Sequence, residues 1–362
     1  MRFPEFGGEW KEVPLTEIAS FCTERVSTAN LCTQNYVSTE NMLQNYQGIV
    51  EAANVPNAGN VIRYRKGDVL LSNIRPYLRK VWLSDRDGGC SADIFVITPI
   101  KTICSNDFLH HILANDRFID YVMSGAKGIK MPRGDKGQIA KYSTAIPTLA
   151  EQHKISSFLT VLDERIATQI VAIEKLKSLM LALYHKLFDN LNGQVLSLAD
   201  ICIIKKGQQV NGELLAEQGD YYVMNGGIVP SGYYTHYNTE ADTISISEGG
   251  NSCGYIQYNK ERFWSGGHCY TVHPLCNGVN NLYLYHYLKS KQQDIMRLRI
   301  GSGLPNIQKK DIEAFPVHLP STQEQCRIAN ILNVVESKKQ IEQQLLDILT
   351  KQKQYLLSQM FV

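Results

Sequence analysis

The fold is decided by one stretch near the middle of the chain, Ile146–Phe188, which reads IPTLAEQHKISSFLTVLDERIATQIVAIEKLKSLMLALYHKLF. Thr148 stands three residues before Glu151, the spacing of a capping box, in which a hydroxyl and a carboxylate satisfy free N–H groups at a helix start. Apolar residues follow at alternating spacings of four and three: Ile155, Leu159, Leu162, Ile166, Ile173, Leu176, Met180, Leu183 and Leu187. This seam, broken only at Gln169, predicts a coiled-coil helix ~60 Å long at ~1.5 Å per residue.

The same element recurs in Leu319–Phe361, and a shift of 173 positions aligns the two copies without a gap. The second copy has its own capping residue, Ser321, and carries Glu324-Gln325 where the first carries Glu151-Gln152. Its seam includes Ile328, Leu332, Leu346, Leu349 and Leu356, with Phe361 in the place of Phe188. The apolar seams of any two amphipathic helices can be aligned at some offset. Here the proline (Pro147 and Pro320), the capping residue and the Glu-Gln pair align at the same offset as well. We therefore interpret the two stretches as a duplicated helix.

The second seam is less apolar than the first, because Lys339, Glu342 and Lys353 occupy seam positions. An amphipathic seam normally packs in a core, and the two helices can pack on each other. We expect part of the second helix to turn its face toward another subunit or toward three off-seam residues, Ile341, Leu345 and Ile348.

Composition limits the function without defining it. The 362 residues have a formal net charge of only +2, and their length is enough for two or three domains. Residues 1–148 carry 17 basic and 15 acidic side chains, and residues 191–318 carry 10 and 11, so a nucleic-acid site must rest on local patches. Nine scattered cysteines without a C-x-x-C pair indicate reduced thiols and predict a cytoplasmic protein without a metal site. No apolar run approaches the ~20 residues of a membrane-spanning helix, and the first residues lack a signal-peptide core.

The segments outside the helices repeat one order of elements. Trp10–Cys22 predicts a strand and a helical turn, as does Val195–Ile201. Strands are predicted at Gly67–Ser72, Val81–Ser84 and Ala92–Thr98, with counterparts at Asp242–Ser247 and Gly266–Val272. One helix, Asp107–Val122, is matched by Leu282–Lys289. We predict an α+β protein built from a globule (1–148), a helix (149–190), a second globule (191–318) and a second helix (319–362).

Motifs for catalysis are weak. Gly250–Gly254 matches the G-x-S-x-G elbow of hydrolases, but that elbow precedes a helix, and Tyr255–Tyr258 is strand-like. A glycine-rich hairpin loop fits better. The sequence contains no phosphate-binding glycine motif, no H-E-x-x-H and no catalytic quartet of an adenine methyltransferase. We expect no catalytic residue, no metal and no cofactor in this chain.

Two loops at matching positions are candidates for binding DNA. The first loop supplies Asn73, Arg75, Tyr77, Arg79 and Lys80, and the second supplies Ser247, Asn251, Ser252 and Tyr255, with Glu248 beside them. Further basic points are Lys127, Lys130 and Arg133 in the loop 124–137, together with Lys205, Lys206, Lys309 and Lys310. We expect Lys80 to bind phosphate as a point charge and Arg75 to fork onto a guanine. The alternative is that these are solvated hairpins.

The whole chain resembles the specificity (S) subunit of type I restriction-modification systems. The resemblance rests on Gly301–Ile312 running into Pro320–Gln325, on the related Pro147–Gln152, and on Gly249–Tyr258. It implies two tandem α/β target-recognition domains separated by two long helices that form an antiparallel coiled coil. Each domain would read one half of a split target in double-stranded DNA.

The resemblance also implies partners. Two methyltransferase subunits would dock on the helices, a restriction subunit could join, and S-adenosylmethionine for adenine-N6 methylation would be bound by the partner. We place the subunit interface at Glu151, Gln152, Ile155, Leu159, Leu162, Ile166, Ile173, Glu324, Gln325, Ile328, Leu332 and Leu346. Two alternatives stay open: a non-catalytic coiled-coil scaffold without a DNA role, and an orphan or phase-variable S subunit used to swap specificity.

Overall fold

The computed structural model describes residues 2–189, 191–275, 278–301, 303 and 305–360. The chain forms two units, one of Met1–Ile170 with Leu345–Val362 and one of Val171–Gln344. Each unit therefore contains one of the two predicted globules and a part of each long helix.

The first globule is built from short strands and short helices. Its elements, with the long helix that follows them, are β1 (Lys11–Pro14), α1 (Leu15–Ile18), β2 (Ala19–Phe21), β3 (Arg25–Ser27), β4 (Tyr36–Val37), β5 (Asn60–Tyr64), β6 (Val69–Ser72), β7 (Val81–Leu83), β8 (Gly88–Cys90), β9 (Ile94–Pro99), α2 (Asn106–Leu113), α3 (Asp116–Ser124), α4 (Lys136–Ile139), β10 (Ser143–Ile146) and α5 (Leu149–Phe188).

The second globule repeats this order with fewer strands. Its elements, again with the following long helix, are β11 (Gln194–Ser197), α6 (Leu198–Ile201), β12 (Cys202–Lys206), β13 (Tyr221–Met224), β14 (Tyr233–Tyr234), β15 (Thr243–Ser247), β16 (Ile256–Asn259), β17 (Trp264–Ser265), β18 (Cys269–Pro274), α7 (Asn281–Ser290), α8 (Gln292–Arg297), α9 (Lys309–Glu313), β19 (Pro316–Leu319) and α10 (Thr322–Met360).

The sheets show which parts of the two globules correspond. A four-stranded sheet has the order β2-β9-β6-β7 in the first unit and β12-β18-β15-β16 in the second. In each unit an antiparallel pair, β1-β10 or β11-β19, joins the start of the globule to the strand that leads into the long helix. The remaining sheet differs, with order β3-β5-β8-β4 in the first unit and β14-β13-β17 in the second. The predicted duplication is therefore confirmed for the shared sheets.

The cores follow the predicted apolar runs. All four residues of β6 are buried, because this strand lies between β9 and β7 in its sheet. In the first unit the core joins β6, α2 and α3 to Ile155 and Leu159 of α5 and to Leu357 of α10. The second core joins its strands and α7 to Phe188 of α5 and Ile328 of α10. Both long helices are thus part of the globule cores.

The long helices start at positions separated by the predicted repeat. The first predicted seam is confirmed, since every seam residue from Ile155 to Leu187 is buried or half-buried. In the first unit the start of α5 and the end of α10 share one core, and Asp163 forms an ion pair with Lys353. The helices therefore run antiparallel there. Phe361, the predicted counterpart of Phe188, lies outside the described residues.

Three expectations about the helices were wrong. The helix predicted at Asp107–Val122 is two helices, because the Asn115 side chain accepts the N–H of Arg117 at 2.9 Å and starts α3. Within the chain the second seam does not turn toward the off-seam residues: Lys353 stays half-buried, whereas Ile341 and Ile348 are exposed and only Leu345 of the three is half-buried. The other expectation, a face toward another subunit, stays a prediction.

The predicted capping boxes are only half formed. Thr148 and Ser321 cap their helices by accepting the N–H of the residue three positions later. The glutamates do not return a bond to the cap. Glu151 accepts from Arg2 and Trp10, and Glu324 accepts from Arg327.

Candidate nucleic-acid interface

The two basic loops predicted in the first globule form one surface. The N–H of Arg75 donates to the carbonyl of Pro132 at 2.8 Å, and the N–H of Gly134 donates to the carbonyl of Asn73 at 3.0 Å. Ile74 and Arg133 form an isolated β-bridge between these bonds. The two loops, 73–80 and 124–137, are here called the first paired loops. Their pairing brings together cations that lie far apart in the sequence.

The second unit repeats the pairing at the same place. The N–H of Gly250 donates to the carbonyl of Pro305 at 2.9 Å, and the N–H of Ile307 donates to the carbonyl of Glu248 at 2.9 Å. Loops 247–255 and 300–308 are here called the second paired loops. They bring together two of the three stretches on which the family resemblance rests, Gly249–Tyr258 and the start of Gly301–Ile312, although Ser302 and Leu304 lie outside the described residues.

The backbone of the first paired loops has an unusual local conformation. Arg75 and Arg79, which flank the short 3-10 turn Pro76–Leu78, both have left-handed backbones, with φ of 49° and 55°. Non-glycine residues seldom adopt this conformation, and it is enriched at binding sites. Arg75 and Tyr77 are exposed at the turn.

The structure divides the predicted cations of this surface into engaged and available groups. Engaged cations are Arg79 with Asp116 (3.0 Å), Lys127 with Asp135 (3.0 Å) and Arg133 with Asp93 (3.3 Å). In the described part of the chain, the side chains of Arg75 and Lys130 make no hydrogen bond or ion pair. These two are the cations with free donors for phosphate or base edges.

Lys80 is less suited to its expected role. Its ammonium donates to the carbonyl of Thr39 at 2.6 Å, and burial, reinforced by the charge of Arg75, lowers its pKa. Because this ammonium is half-buried and hydrogen-bonded, its main contribution is to the structure of the loop and not to binding. Asn73 is half-buried, and its Oδ1 has no hydrogen-bond partner among the described residues.

The candidates of the second unit also separate by exposure. Ser247 is buried, and its hydroxyl donates to the carbonyl of Gly226 at 2.6 Å, so it cannot address a base edge. Half-buried Tyr255 carries the ammonium of Lys289 over its ring at 3.9 Å. Asn251 and Lys205 are exposed and Ser252 is half-buried. Lys310 is exposed, whereas Lys309 pairs with Glu313 at 3.3 Å.

Glu248, which the sequence placed among the base readers, lies under the second paired loops. It is 3% exposed and accepts hydrogen bonds from Lys206 at 2.6 Å and from Tyr270 at 2.8 Å. Burial would raise its pKa, but these bonds and the charge of Lys206 outweigh burial and lower it. Lys206 is therefore engaged in the scaffold as well.

The predicted subunit interface is corrected by burial. Glu151, Gln152, Ile155, Leu159, Ile173, Gln325, Ile328 and Leu332 are each at most 3% exposed within the chain itself. Leu162, Ile166, Glu324 and Leu346 are half-buried. The eight residues that are already covered within the chain cannot form a free docking face, whereas the assignment of the four half-buried residues stays a prediction. Ile155 and Leu159 instead belong to the core of the first unit, and Ile328 and Leu332 belong to that of the second.

The Glu-Gln pairs illustrate this structural role. The Gln152 amide accepts the N–H of Ser105 at 2.9 Å and donates to the carbonyls of Ile103 and Pro147 at 2.8 and 3.0 Å. Gln325 makes the equivalent three bonds to Asn280, Gly278 and Pro320. The repeated Gln fixes the start of the globule's main helix to the start of the long helix.

The long helices expose apolar residues off the seam, and of these the sequence analysis had named Ile341 and Ile348. In α5 they include Val161, Val171 and Leu181, and in α10 they include Val334, Ile341, Ile348 and Tyr355, each more than half exposed. The sequence signal for these residues is their apolar character at positions off the seam. The four in α10 recur every seven residues and so share one helix face, and exposed apolar residues that form a contiguous patch are a common mark of protein docking.

Other site types receive no support from the described residues. No group of three or more His, Cys, Asp and Glu side chains there could hold a metal ion. None of the helices described is both long and apolar enough to cross a bilayer.

The chain belongs to the family of the type I restriction modification DNA specificity domain. The family profile matches it twice, over residues 7–177 and 190–351. The two matches cover both globules and most of both helices, which agrees with the duplication.

Relatives of known name support this class. A Mycoplasma pneumoniae protein named as a type I specificity subunit is 36% identical over 155 residues, 42% of this chain and 40% of that protein. The specificity subunit of the Escherichia coli EcoDI type I restriction enzyme is 26% identical over 158 residues, 42% of this chain and 34% of its own length. These matches span less than half of the relatives.

Solved structures share the fold along the whole chain. The S subunit of a type I restriction-modification system from M. genitalium superposes with a TM-score of 0.74, at 20% identity, over 100% of this chain and 99% of that one. A chain from a study of assembly and conformational transition of a type I system gives a TM-score of 0.54, at 19% identity, over 98% of both chains.

Proposed function

We propose that this chain is the DNA-specificity subunit of a type I restriction-modification complex and reads a two-part target with its two units. The single observation that carries the proposal is the repeated pairing of loops. Loops 73–80 and 124–137 pair in the first unit as 247–255 and 300–308 pair in the second. The scaffold is therefore shared while the residues on it differ, as Arg75 does from Gly250, whose N–H makes the equivalent bond. Two similar scaffolds with different surfaces fit an asymmetric target.

The chain itself supplies no chemistry in this proposal. Adenine-N6 methylation, with its S-adenosylmethionine, belongs to methyltransferase subunits, of which two would bind one specificity subunit, and a restriction subunit would join them. The exposed apolar side chains on the outer faces of α5 and α10 would receive these partners, replacing the buried interface that the sequence suggested. The cysteines described in the structure form no disulfide, which supports a cytoplasmic location.

The test is reconstitution with the methyltransferase subunits of the same cell. We expect the mixture to form a stable complex that binds and methylates a split DNA sequence, while the isolated chain methylates nothing. Methylation by the isolated chain, or an assembled complex with no sequence preference, would overturn the proposal. The second outcome would favour a scaffold without a DNA role.

Docking is tested by one helix variant with a matched control. Val334→Asp changes a side chain that is 68% exposed, so the fold should survive, but a charge would disfavour an apolar interface. Lys338→Asp, at an exposed position of the same helix, is the control. We expect only the first variant to lose the methyltransferase subunits in size-exclusion chromatography.

A further inference from the structure

A polar cleft of about 430 Å³ lies in the first unit, beside the sheet that the second unit does not repeat. Its lining includes Ser38, Glu40, Asn54, Asn57, Ser91 and Asp93. Most of these groups come from the segment between β4 and β5, which connects the edge strand of the sheet to its centre. Acceptor and amide groups therefore dominate this surface.

The cleft adjoins the first paired loops. Asp93, which lines it, pairs with Arg133 at 3.3 Å, and the carbonyl of Asp93 accepts the N–H of Asn73 at 2.8 Å. Thr39 also lines the cleft, and its carbonyl accepts a hydrogen bond from the ammonium of Lys80 at 2.6 Å. A ligand that contacts the cations of the paired loops would therefore lie next to the cleft.

The cleft wall is held in place by a buried asparagine. Asn41 is 5% exposed, and its amide nitrogen donates to the carbonyls of Tyr36 and Val50 at 3.2 and 2.8 Å. Its amide oxygen accepts the N–H of Ser38 at 2.6 Å. These bonds fix the chain on both sides of Glu40, so the cleft is organised before any ligand binds.

Several groups of the cleft are free to bind. Glu40, Asn54 and Asn57 are exposed, and their side chains make no hydrogen bond or ion pair within the described residues. Ser91 Oγ is buried and has no partner in the described part of the chain. Carboxylate and amide groups match the amino groups that adenine and cytosine present in the major groove.

Comparison of the two units indicates which function the cleft has. Both units have the same main sheet and the same backbone pairing of loops, so this scaffold suits a task that both share, while the side chains on it differ. The sheet beside the cleft, β3-β5-β8-β4, has four strands, whereas the corresponding sheet of the second unit, β14-β13-β17, has three. A task that differs between the units, such as reading different bases, fits the part that differs.

We propose that this cleft reads base edges of the first half-site, with Glu40 accepting from a cytosine amino group and Asn54 and Asn57 contacting adenines. The inference rests on the proposed function and names the specificity-determining residues of that site. Arg75 and Lys130 of the neighbouring paired loops would hold the same stretch of duplex.

The experiment uses the full chain assembled with its methyltransferase subunits, and compares Glu40→Ala and Asn57→Ala with a control. Gln47→Ala is a suitable control, because Gln47 is exposed in the same segment but does not line the cleft. The readout is the methylated sequence motif together with binding to single-base variants of the first half-site. We expect each cleft variant to lose roughly ten-fold or more of its discrimination at one base pair of the first half. The second half and the salt dependence of binding should not change.

Two results would overturn the inference while leaving the proposed function intact. One is an unchanged motif in both cleft variants, and the other is a uniform loss of affinity with a weaker salt dependence, which indicates phosphate contacts. A wild-type complex that shows no split motif would instead refute the proposed function, and the inference with it. Thermal unfolding of each variant checks that the fold is retained.

Discussion

The side-chain amide of Gln152 accepts the backbone N–H of Ser105 at 2.9 Å, which attaches the helix α2 of the globule to the long helix α5. Gln325 has the same relationship with Asn280 at 2.8 Å. Both glutamines are at most 1% exposed. The most distinctive sequence feature of the repeat therefore orients each globule on its helix, and it does so from within the core.

Replacing Gln152 with Ala should strongly destabilise the first unit. The change leaves the N–H of Ser105 and the carbonyls of Ile103 and Pro147 without their partner, at ~1 kcal/mol or more for each buried group. We expect the free energy of unfolding to fall by ~2–4 kcal/mol in denaturant titrations. His153→Ala, at the exposed neighbouring position, is the control and should change stability little. Equal effects of the two changes would show that the amide is not essential.

Arg75 should read a base, as the sequence predicts, whereas Lys80 should support the fold of its loop and not a phosphate contact. Arg75→Lys keeps the charge but loses the guanidinium fork, so it should relax one base pair of the first half-site while the salt dependence stays constant. Lys80→Met removes the bond to Thr39 and should lower stability more than it changes the salt dependence. Binding of the assembled complex at several salt concentrations, with single-base variants, measures both effects. A uniform loss of affinity in Arg75→Lys would assign Arg75 to a phosphate instead.

Acid should destabilise the second unit through His286. This residue is fully buried, and burial, reinforced by Lys339, lowers its pKa to about 4. Its Nδ1 lies 3.4 Å from the Tyr184 hydroxyl, and its Nε2 has no partner among the described residues. In the unfolded chain the ring takes up a proton near pH 6.5.

The stability that neutral His286 provides is therefore complete above pH 6.5 and is lost as the pH falls towards 4. One such group contributes a slope of at most ~1.4 kcal/mol per pH unit. His286→Phe should flatten the dependence of the unfolding free energy on pH in this window, and His153→Gln, at an exposed position, should not. An unchanged slope in His286→Phe would mean that other groups dominate acid unfolding.

The fold was largely predictable, because its strongest signals are local. The capped seam of α5 and the apolar run of β6 can each be recognised from a short stretch of sequence. The repeat shows the same patterns a second time. The break at Asn115 also had a local signal, an Asn followed by Asp116 at a helix start, which the prediction of one long helix overlooked.

The candidate site was less predictable, because it depends on contacts between distant residues. Nothing near Arg75 in the sequence indicates that its N–H binds the carbonyl of Pro132. The hydrogen bond between Lys80 and Thr39 and the cleft beside it also depend on residues that are far apart in the sequence. Likewise, the seam residues were assigned to a subunit interface because an apolar pattern in the sequence does not show whether a helix face packs within its own chain or against a partner subunit.

The helices should set the spacing of the two half-sites. Since both units contain parts of both helices, an insertion in α5 alone would shift its register against α10. Seven residues added between Ile173 and Glu174, together with seven between Gln344 and Leu345, keep the seam and lengthen both helices by ~10 Å. We expect the unspecified gap in the methylated motif to grow by ~3 base pairs at ~3.4 Å each, with both half-sites unchanged. A folded, active variant with the original gap would show that the helices are not a ruler.

Exchanging one globule and mapping the methylated adenines shows whether each unit reads its own half of a split target. Residues 191–318 form a suitable segment, because the pairing of β11 with β19 places its two ends side by side. The segment is replaced with the equivalent part of another specificity subunit, and the genome of the host is mapped with the original and the exchanged chain. We predict that one half of the methylated motif changes and that the other half and the gap stay the same. A change in both halves, or in neither, would mean that the two units do not each read one half of the target.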